Sequence, residues 1–152
     1  MILMEHSKNQ DTQMTEQVQK MLSDNNFVFL GTLMKDGRPH VTPVWVDLKD
    51  DKILINTAEG RIKHRNLTRD PRVSLSLVDK NNPYSMVTIQ GKVVGQTNDG
   101  ADDHIDKLAK KYLKTDKYPG HSPSIKRIII MIKPEKIFYL PPRYTEYLHD
   151  QR

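Results

Sequence analysis

One basic segment of the sequence has residue types and spacing that suit the binding of a phosphate group. Gly60 is followed by the run Arg61-Ile62-Lys63-His64-Arg65, which predicts the start of a short helix. A glycine lets a ligand approach the backbone closely, and the first turn of a helix has N–H groups that can bind an anion. Arginine makes paired hydrogen bonds to phosphate, whereas lysine adds a compact positive charge. The segment therefore predicts a phosphate site, with a solvent-exposed basic helix as the alternative.

Motifs that would indicate other chemistry are absent from the sequence. It contains no GxGxxG or Walker-type phosphate loop, no GxSxG nucleophile elbow, no HExxH metal motif and no cysteine. The six histidines are scattered along the chain. Asp102, Asp103, His104 and Asp106 could suggest a metal site, but acidic side chains at the start of a predicted helix also interact favourably with its dipole. We interpret this group as a solvated helix face and predict no metal site.

The composition narrows the class of protein. The chain has 152 residues with 24 basic and 19 acidic side chains, a net charge of +5, and a pI near 9.3. This length suits one domain, and the surplus charge favours an anionic ligand. No apolar run approaches the roughly 18–20 residues that cross a bilayer, and the apolar residues before Glu5 are too few for a signal peptide. We expect a cytoplasmic protein that does not insert into membranes.

The first part of the chain predicts a short helix followed by a meander of strands. Thr15 is a suitable cap for a helix that ends near Asp24. Strands are then predicted at residues 27–33, 40–48 and 53–57, and an Asp-Gly turn joins the first two. Pro43 removes a hydrogen-bond donor from the second strand, so that strand is expected at a sheet edge or with a bulge.

The remainder predicts two more helices and further strands. The helices are expected at residues 61–67 and 101–113, and the strands at 72–78, 86–97, 128–132 and 136–140. Gly91 and Gly95 indicate bulges in the longest strand. Six to seven strands without βαβ alternation predict a mostly β protein, an antiparallel barrel with a few peripheral helices. The expected organisation is a flexible lead-in at 1–13, the barrel domain at 14–140 and a tail at 141–152.

Several segments share their order and spacing with one protein family. In chain order they are Gly31-Thr32-Leu33, Asp36-Gly37-Arg38-Pro39, Pro43-Val44-Trp45, the run from Asn56 to Leu67, and Asp70-Pro71-Arg72-Val73-Ser74-Leu75. Together they resemble the pyridoxamine 5′-phosphate oxidase-like flavoproteins. The stretch 101–112 and Lys117-Tyr118-Pro119 are similar to the branch of deazaflavin (coenzyme F-420)-dependent oxidoreductases. The resemblance extends over residues 27–140.

The resemblance implies a split β-barrel that forms a homodimer, with a flavin-type cofactor in a groove between the subunits. Arg61 and Lys63 match the positions that hold the cofactor phosphate in this family. Asn56 and Thr57 match the strand end that lines the ribityl chain and the ring. The same resemblance thus supports the phosphate site expected from the basic segment alone.

Further cofactor positions follow from the same resemblance. Pro43, Val44 and Trp45 match the strand that faces the ring, although a lone tryptophan is more often a core residue. Asn66 matches a supporting position on the helix. Gln90, on the long strand, is expected to reach the cofactor across the dimer.

The predicted function is that of an oxidoreductase in which coenzyme F-420 transfers hydride to a small electrophilic organic substrate. F-420 carries a phosphodiester and an acidic oligoglutamate tail, so it needs a longer basic track than FMN, the alternative cofactor. Arg38 and Arg65 are expected to extend the track formed by Arg61 and Lys63. No catalytic side chain is predicted, and the candidates for a proton donor are His40, Tyr84 and solvent.

Two other classes of function stay open. A non-catalytic flavin or tetrapyrrole carrier is compatible with the lack of an obvious acid–base residue. A small RNA-binding barrel is less well supported, because basic residues outside the one segment alternate with acidic ones and no aromatic platform accompanies them, so no nucleic-acid partner is expected. The tail has no Arg-x-His pair of the kind that grips substrate in pyridoxamine phosphate oxidases, so vitamin B6 oxidation is not expected.

Overall fold

The computed structural model describes residues 14–148, which form one antiparallel sheet and four helices. The helices are α1 (Glu16–Ser23), α2 (Ile62–Arg69), α3 (Ala101–Leu113) and α4 (Thr145–Leu148). The strands are β1 (Val28–Leu33), β2 (Pro39–Val44), β3 (Val46–Lys49), β4 (Lys52–Ala58), β5 (Arg72–Val78), β6 (Met86–Thr97) and β7 (Arg127–Leu140). The predicted lead-in at 1–13 and the tail residues 149–152 lie outside the described residues. No helix within the described range is long and apolar enough to cross a membrane.

The sheet curls because its two edge strands are neighbours in the chain. The strand order is β2-β1-β5-β6-β7-β4-β3, so β2 and β3 lie at opposite edges. Only Trp45 separates them in sequence. A single residue can join two edges only if the sheet bends round on itself, and the result is a half-barrel. The predicted split β-barrel is confirmed, with seven strands, and Pro43 lies on an edge strand as expected.

The expectation of one strand over residues 40–48 was wrong. The chain leaves one edge of the sheet after Val44, where β2 pairs with β1, and joins the other edge at Val46, where β3 pairs with β4. The apolar and β-branched composition continues across this break. A local pattern therefore gives no sign that the hydrogen-bonding partner changes.

The expectation of two strands at 128–132 and 136–140 was also wrong. Residues 127–140 form the single strand β7, because a bulge absorbs Pro134, which has no N–H to donate. Gln90 pairs with Lys136 and Gly91 pairs with Pro134, so the register shifts between these two pairs. The bulges predicted from Gly91 and Gly95 coincide with the observed shifts.

The core fills the inside of the curled sheet. In β5, Val73, Leu75 and Leu77 are buried and alternate with exposed serines, as the period-two pattern predicted. The buried side chains of α1 join the same cluster and lie in contact with it; they are Val18, Met21 and Leu22. Burial of each such side chain contributes about 1.5–3 kcal/mol.

The outer face of β2, β1 and β5 is exposed in the described chain. Phe29 and Val41 are 48% and 60% exposed, and Ser74 and Ser76 beside them are exposed as well. The register aligns these residues in two rows, because Phe29 is opposite Ser76 and Gly31 lies between Val41 and Ser74. We call this surface, formed by Phe29, Val41, Ser74 and Ser76, the open face.

The substitution Gly91→Ala is expected to lower the free energy of unfolding by about 1–3 kcal/mol, the range for an overpacked site. A Cβ at Gly91 would lie 2.5 Å from the backbone oxygen of Lys133, which cannot move without disturbing the bulge. At Gly31 the nearest atom would be 3.6 Å away, an ordinary contact, so Gly31→Ala is the matched control. Urea unfolding of both variants measures the difference. Equal losses at the two glycines would contradict this account.

Candidate functional site

One pocket gathers most of the residues expected to bind a cofactor. Its volume is about 290 Å³, and its lining residues are Phe27, Pro43, Val44, Trp45, Asn56, Thr57, Arg61, Lys63, Ile105, Tyr118 and Arg127. The edge crossing at Trp45, the end of β4 and the start of α2 are separate in sequence. The curl of the sheet brings them together. Seven of the eleven predicted positions lie in this set, so the main part of the expected site is assembled within one chain.

The cationic side of the pocket is formed by Arg61, Lys63 and Arg127. Arg61 is the N-cap residue of α2 and no side chain caps this helix, so the N–H groups of its first turn point out from the helix end without a capping partner. Burial lowers the pKa of the Lys63 ammonium, and the charges of Arg61 and Arg127 lower it further. Among the described residues, those that line the pocket include no acidic side chain. This concentration of positive charge favours an anionic ligand.

The glycine before this helix has a conformational role. Gly60 has a φ of +84°, in the left-handed region that other residues rarely adopt, while a Cβ at this position would meet nothing within 4 Å. Its N–H donates to Nδ1 of His64 at 3.0 Å, which fastens the turn to the helix. The backbone conformation explains the glycine without any close approach of a ligand.

Four lining residues were not predicted as site residues from the sequence, namely Phe27, Ile105, Tyr118 and Arg127, and Arg127 is the charged one among them. It is only 6% exposed; its Nε donates to Oδ1 of Asn56 at 2.8 Å, and its guanidinium lies over the ring of Tyr118 at 5.3 Å. Its Nη1 is buried and has no hydrogen-bond partner. The sequence does contain a signal for this residue, since an arginine directly precedes the run Ile128-Ile129-Ile130. A charged side chain at the end of a wholly apolar strand is partly buried when that strand is buried.

Aromatic side chains form the apolar wall of the pocket. Trp45 stacks on Tyr112, with ring centroids 5.3 Å apart and planes 6° apart, and meets the edge of Tyr118 at 6.0 Å. Tyr112 is itself fixed, since its hydroxyl donates to the Asn26 carbonyl at 3.0 Å and accepts from the Val46 N–H at 3.2 Å. Trp45 is half-buried. Its indole packs against Tyr112 and also lines the pocket. Such a rigid wall suits a planar ligand.

The loop that carries Tyr118 is fastened to α3 by Asp106. The carboxylate accepts the backbone N–H of Tyr118 at 2.8 Å and lies 2.6 Å from Nε2 of His121 and 3.3 Å from Nζ of Lys117. The hydrogen bond from the Tyr118 backbone, followed by that from His121, lowers the pKa of Asp106 to about 2. Asp106 is therefore ionised at neutral pH and holds the loop against the helix.

The interpretation of residues 102–106 as a solvated helix face was wrong for His104. This residue is 8% exposed, and its ring lies between Asp47 and Asn56: Nε2 is 3.2 Å from Oδ2 of Asp47, and Nδ1 is 3.2 Å from Nδ2 of Asn56. Burial alone would raise the pKa of Asp47, but the hydrogen bonds from His104 and Lys107 outweigh it and lower the pKa to about 2. The helix face therefore connects the outer strand β3 to the pocket.

Asp47 is expected to contribute about 1–2 kcal/mol to stability above roughly pH 4, after allowance for solvent screening. Its pKa is 3.8 in the unfolded chain and about 2 in the folded one. The stabilisation is therefore complete at pH values above 3.8 and is lost as the pH falls through about 2. In Asp47→Asn we expect a smaller loss of stability between pH 4 and pH 2 than in the wild type. Thermal unfolding at a series of pH values measures this. The exposed Asp103→Asn is the control, and an unchanged profile in Asp47→Asn would contradict the assignment.

Four of the predicted positions lie away from the pocket in the single chain, and one of them is Arg65, which is exposed on α2. Asn66 is buried and donates to Oγ1 of Thr32 at 3.0 Å, which ties α2 to β1. Arg38 is exposed in the turn between β1 and β2, where it pairs with Asp36 at 2.7 Å. Gln90 lines a different hollow, beside the open face. Their roles toward a cofactor stay predictions.

Neither side chain considered as a proton donor lines the pocket within residues 14–148. His40 lies on β2 with a buried Nδ1 that has no partner, and Tyr84 packs against Tyr144 with ring centroids 5.0 Å apart. The hydroxyl groups that do line the pocket belong to Thr57 and Tyr118.

Comparison with known proteins places these features in a family. Residues 14–141 match the family model for pyridoxamine 5′-phosphate oxidase. A solved F420 reductase is 25% identical, with 79% of this chain and 94% of that chain covered and a TM-score of 0.70. Two further solved structures share the fold. A putative pyridoxamine 5′-phosphate oxidase from Listeria innocua is 17% identical, with 82% of this chain and 96% of that chain covered and a TM-score of 0.65. HupZ from Group A Streptococcus is 21% identical, with 84% of this chain and 94% of that chain covered and a TM-score of 0.61. Because the family match extends over most of the chain and the fold agrees, this protein belongs to the pyridoxamine 5′-phosphate oxidase-like family.

Proposed function

We propose that this protein is a deazaflavin-dependent oxidoreductase that binds coenzyme F-420 in the described pocket and reduces a small electrophilic organic substrate. The observation that carries the proposal is the cation cluster of Arg61, Lys63 and Arg127 beside the aromatic wall of Trp45 and Tyr118. A ligand with an anionic group at one end and a planar ring at the other fits this arrangement. The similarity to an F420 reductase supports the choice of cofactor.

Two buried polar atoms test whether the pocket suits such a ligand. Oγ1 of Thr57 and Nη1 of Arg127 both belong to lining residues, and neither has a partner in the described chain. A buried polar group without a hydrogen bond costs about 1–3 kcal/mol, so such groups are rarely left unpaired. A ligand with acceptor atoms would satisfy both. The residues present therefore fit a phosphate-bearing flavin or deazaflavin.

The side chains of the pocket would contribute binding, orientation and exclusion of water. When bound, a reduced deazaflavin supplies a hydride. Arg61, Lys63 and the first turn of α2 would hold its phosphate group, while Pro43, Val44 and Trp45 would fix the plane of its ring. Holding donor and acceptor in contact is a large part of catalysis in such reactions. Since His40 and Tyr84 lie elsewhere, solvent at the pocket mouth is the proton source that we propose.

We also propose that a second copy of this chain completes the groove. The pocket volume of about 290 Å³ is at the small end of the roughly 300–1,000 Å³ found for ligand sites. The open face offers apolar side chains, Phe29 and Val41, around small serines that allow close approach. Gln90 borders this face, so in a homodimer Gln90 of the partner subunit would be available to the groove.

FMN is the second candidate cofactor, and one observation favours it. Arg38 was expected to extend the basic track toward the acidic tail of F-420, but it is paired with Asp36 and is not part of the pocket. The compact cluster that remains suits the phosphate monoester of FMN as well as a phosphodiester. The two cofactors therefore need to be compared directly.

A binding and turnover experiment tests the proposal. Dissociation constants for F-420 and FMN would be measured on the purified protein, followed by oxidation of reduced F-420 with a panel of enones, quinones and tetrapyrroles of the biliverdin type. We expect tighter binding of F-420 and oxidation that depends on the acceptor. FMN bound without any affinity for F-420 would overturn the cofactor choice. Binding without turnover of any acceptor would indicate a carrier, and no binding of either would overturn the proposed function.

A further inference from the structure

A hydrogen-bonded chain connects the pocket to an outer strand of the barrel. It begins at Asp47 on β3, passes through His104 on α3 and Asn56 on β4, and ends at Arg127 on β7. The successive distances are 3.2, 3.2 and 2.8 Å. Each of these residues is buried or half-buried, so water competes little for the hydrogen bonds.

This series of hydrogen bonds permits only one orientation of the Asn56 amide. Its Nδ2 donates to the carbonyl of Ala101 at 2.8 Å and faces Nδ1 of His104, while its Oδ1 accepts from Nε of Arg127. An amide flipped by 180° would set Oδ1 against the Ala101 carbonyl and an N–H against the Arg127 Nε–H, and both contacts would be repulsive.

The orientation of Asn56 in turn requires one tautomer of His104. Because Asn56 offers a donor to Nδ1, that nitrogen accepts, and the ring proton lies on Nε2 facing Asp47. Asp47 accepts this proton and is also paired with Lys107 at 3.0 Å. Asp47 thus selects the tautomer, the tautomer selects the amide orientation, and the amide holds Nε of Arg127.

The hydrogen-bonded chain ends in the pocket at Arg127, which has a donor group without a partner. With Nε held by Asn56 and the guanidinium over the Tyr118 ring, Nη1 of Arg127 is buried and has no partner. Burial lowers the pKa of Arg127, and the positive charge of Arg61 lowers it further, whereas Tyr118 and Asp102 act in the opposite direction without reversing the effect. Lys63 lines the same pocket, and its charge and that of Arg127 repel each other. A buried arginine held among like charges by three further residues costs stability, and an anion in the pocket would remove that cost.

We propose that Arg127 is a third anion-binding residue of the pocket and that Asp47, His104 and Asn56 are positioning residues that hold its guanidinium toward a phosphate oxygen. The inference rests on the proposed function in one respect, namely that the natural ligand carries a phosphate group. It assigns a role to residues that the basic segment around α2 does not include. Phosphate is then held from two sides, by the start of α2 and by the start of β7.

The test compares FMN with riboflavin, which has the same ring and no phosphate. Dissociation constants would be measured by quenching of Trp45, the single tryptophan of the chain and a lining residue of the pocket. In Arg127→Gln we expect FMN to bind roughly tenfold or more weakly, as for loss of a charge-assisted hydrogen bond, with riboflavin changed less than about twofold. In Asp47→Asn we expect a smaller loss for FMN alone. Combining the two substitutions should add nothing to Arg127→Gln, because Asp47 acts only through Arg127.

Asp103→Asn is the matched control. It removes one carboxylate from α3, the helix that carries His104, at an exposed position that does not line the pocket. We expect both flavins to bind this variant as they bind the wild type. Equal losses of FMN and riboflavin in Arg127→Gln, or additive losses in the double variant, would assign the four residues to pocket shape and overturn the inference.

The same variants separate this inference from the proposed function. If the flavins do not bind, coenzyme F-420 and its phosphate-free deazaflavin replace the pair, with the same expected order of variants. If no flavin or deazaflavin binds, the proposed function fails, and inorganic pyrophosphate becomes the probe. Weaker pyrophosphate binding in Arg127→Gln and Asp47→Asn would then still support the anion site, whereas unchanged binding would overturn it.

Discussion

Replacement of both cations at the start of α2, Arg61→Ala with Lys63→Ala, is expected to weaken cofactor binding by about 3–6 kcal/mol, because two charge-assisted contacts of about 1.5–3 kcal/mol each are lost. This corresponds to a dissociation constant roughly 10²- to 10⁴-fold higher. Lys63 is half-buried in the pocket, so its interaction with an anion is less screened by solvent than that of a surface lysine. The backbone N–H groups of the helix and Arg127 stay in place, which is why binding should be weakened and not abolished.

Titration of F-420 and FMN into the double variant measures this loss. The matched control is Lys20→Ala with Lys110→Ala, which lowers the net charge by the same amount at two exposed helix positions outside the pocket. Riboflavin provides a second control, since its affinity should be nearly unchanged. If the double variant has the dissociation constant of the wild type, the phosphate site is assigned wrongly. If the control variant loses a similar amount of affinity, the loss is an effect of net charge and not of this site.

The part of the site that could be predicted is the part that is local in sequence. Gly60, Arg61 and Lys63 are nearly adjacent, and a strand end followed by a helix start defines their geometry with little help from the rest of the fold. The alternation in β5 was equally local and gave the strand its observed bounds. Pro43, Val44 and Trp45 were found through resemblance to the family, since their composition alone indicates only an extended segment.

The part that was missed depends on contacts between distant segments. Arg127 lies opposite Ala58 through the pairing of β7 with β4, which sets its side chain beside Asn56. The apolar run after Arg127 has no alternation, so the sequence specifies neither its register nor which residue faces the pocket. His104 was misjudged for the same reason, because its partner Asp47 belongs to a strand that begins only after the edge crossing at Trp45.

The substitution Ser76→Arg is expected to dissociate the proposed homodimer and to weaken cofactor binding with it. Ser76 is exposed on the open face, opposite Phe29 on one side and Thr88 on the other, so the single chain can accommodate a longer side chain there. At an interface between two copies, the same change would introduce two unpaired charges and two bulky side chains at a close contact. We expect the dimer dissociation constant to rise by roughly 100-fold or more, since burying an uncompensated charge costs several kcal/mol. Analytical ultracentrifugation over a range of protein concentrations measures the change.

Gln17→Arg is the control, because it places the same charge at an exposed position of α1, away from the open face. If the partner completes the groove, the cofactor affinity of Ser76→Arg should recover as protein concentration rises, since mass action then restores the dimer. Cofactor binding at the wild-type level by a monomeric Ser76→Arg would show that one chain holds the complete site. A dimer of unchanged stability would instead place the interface elsewhere, and Gln90 of the partner subunit would then have no reason to lie near the pocket.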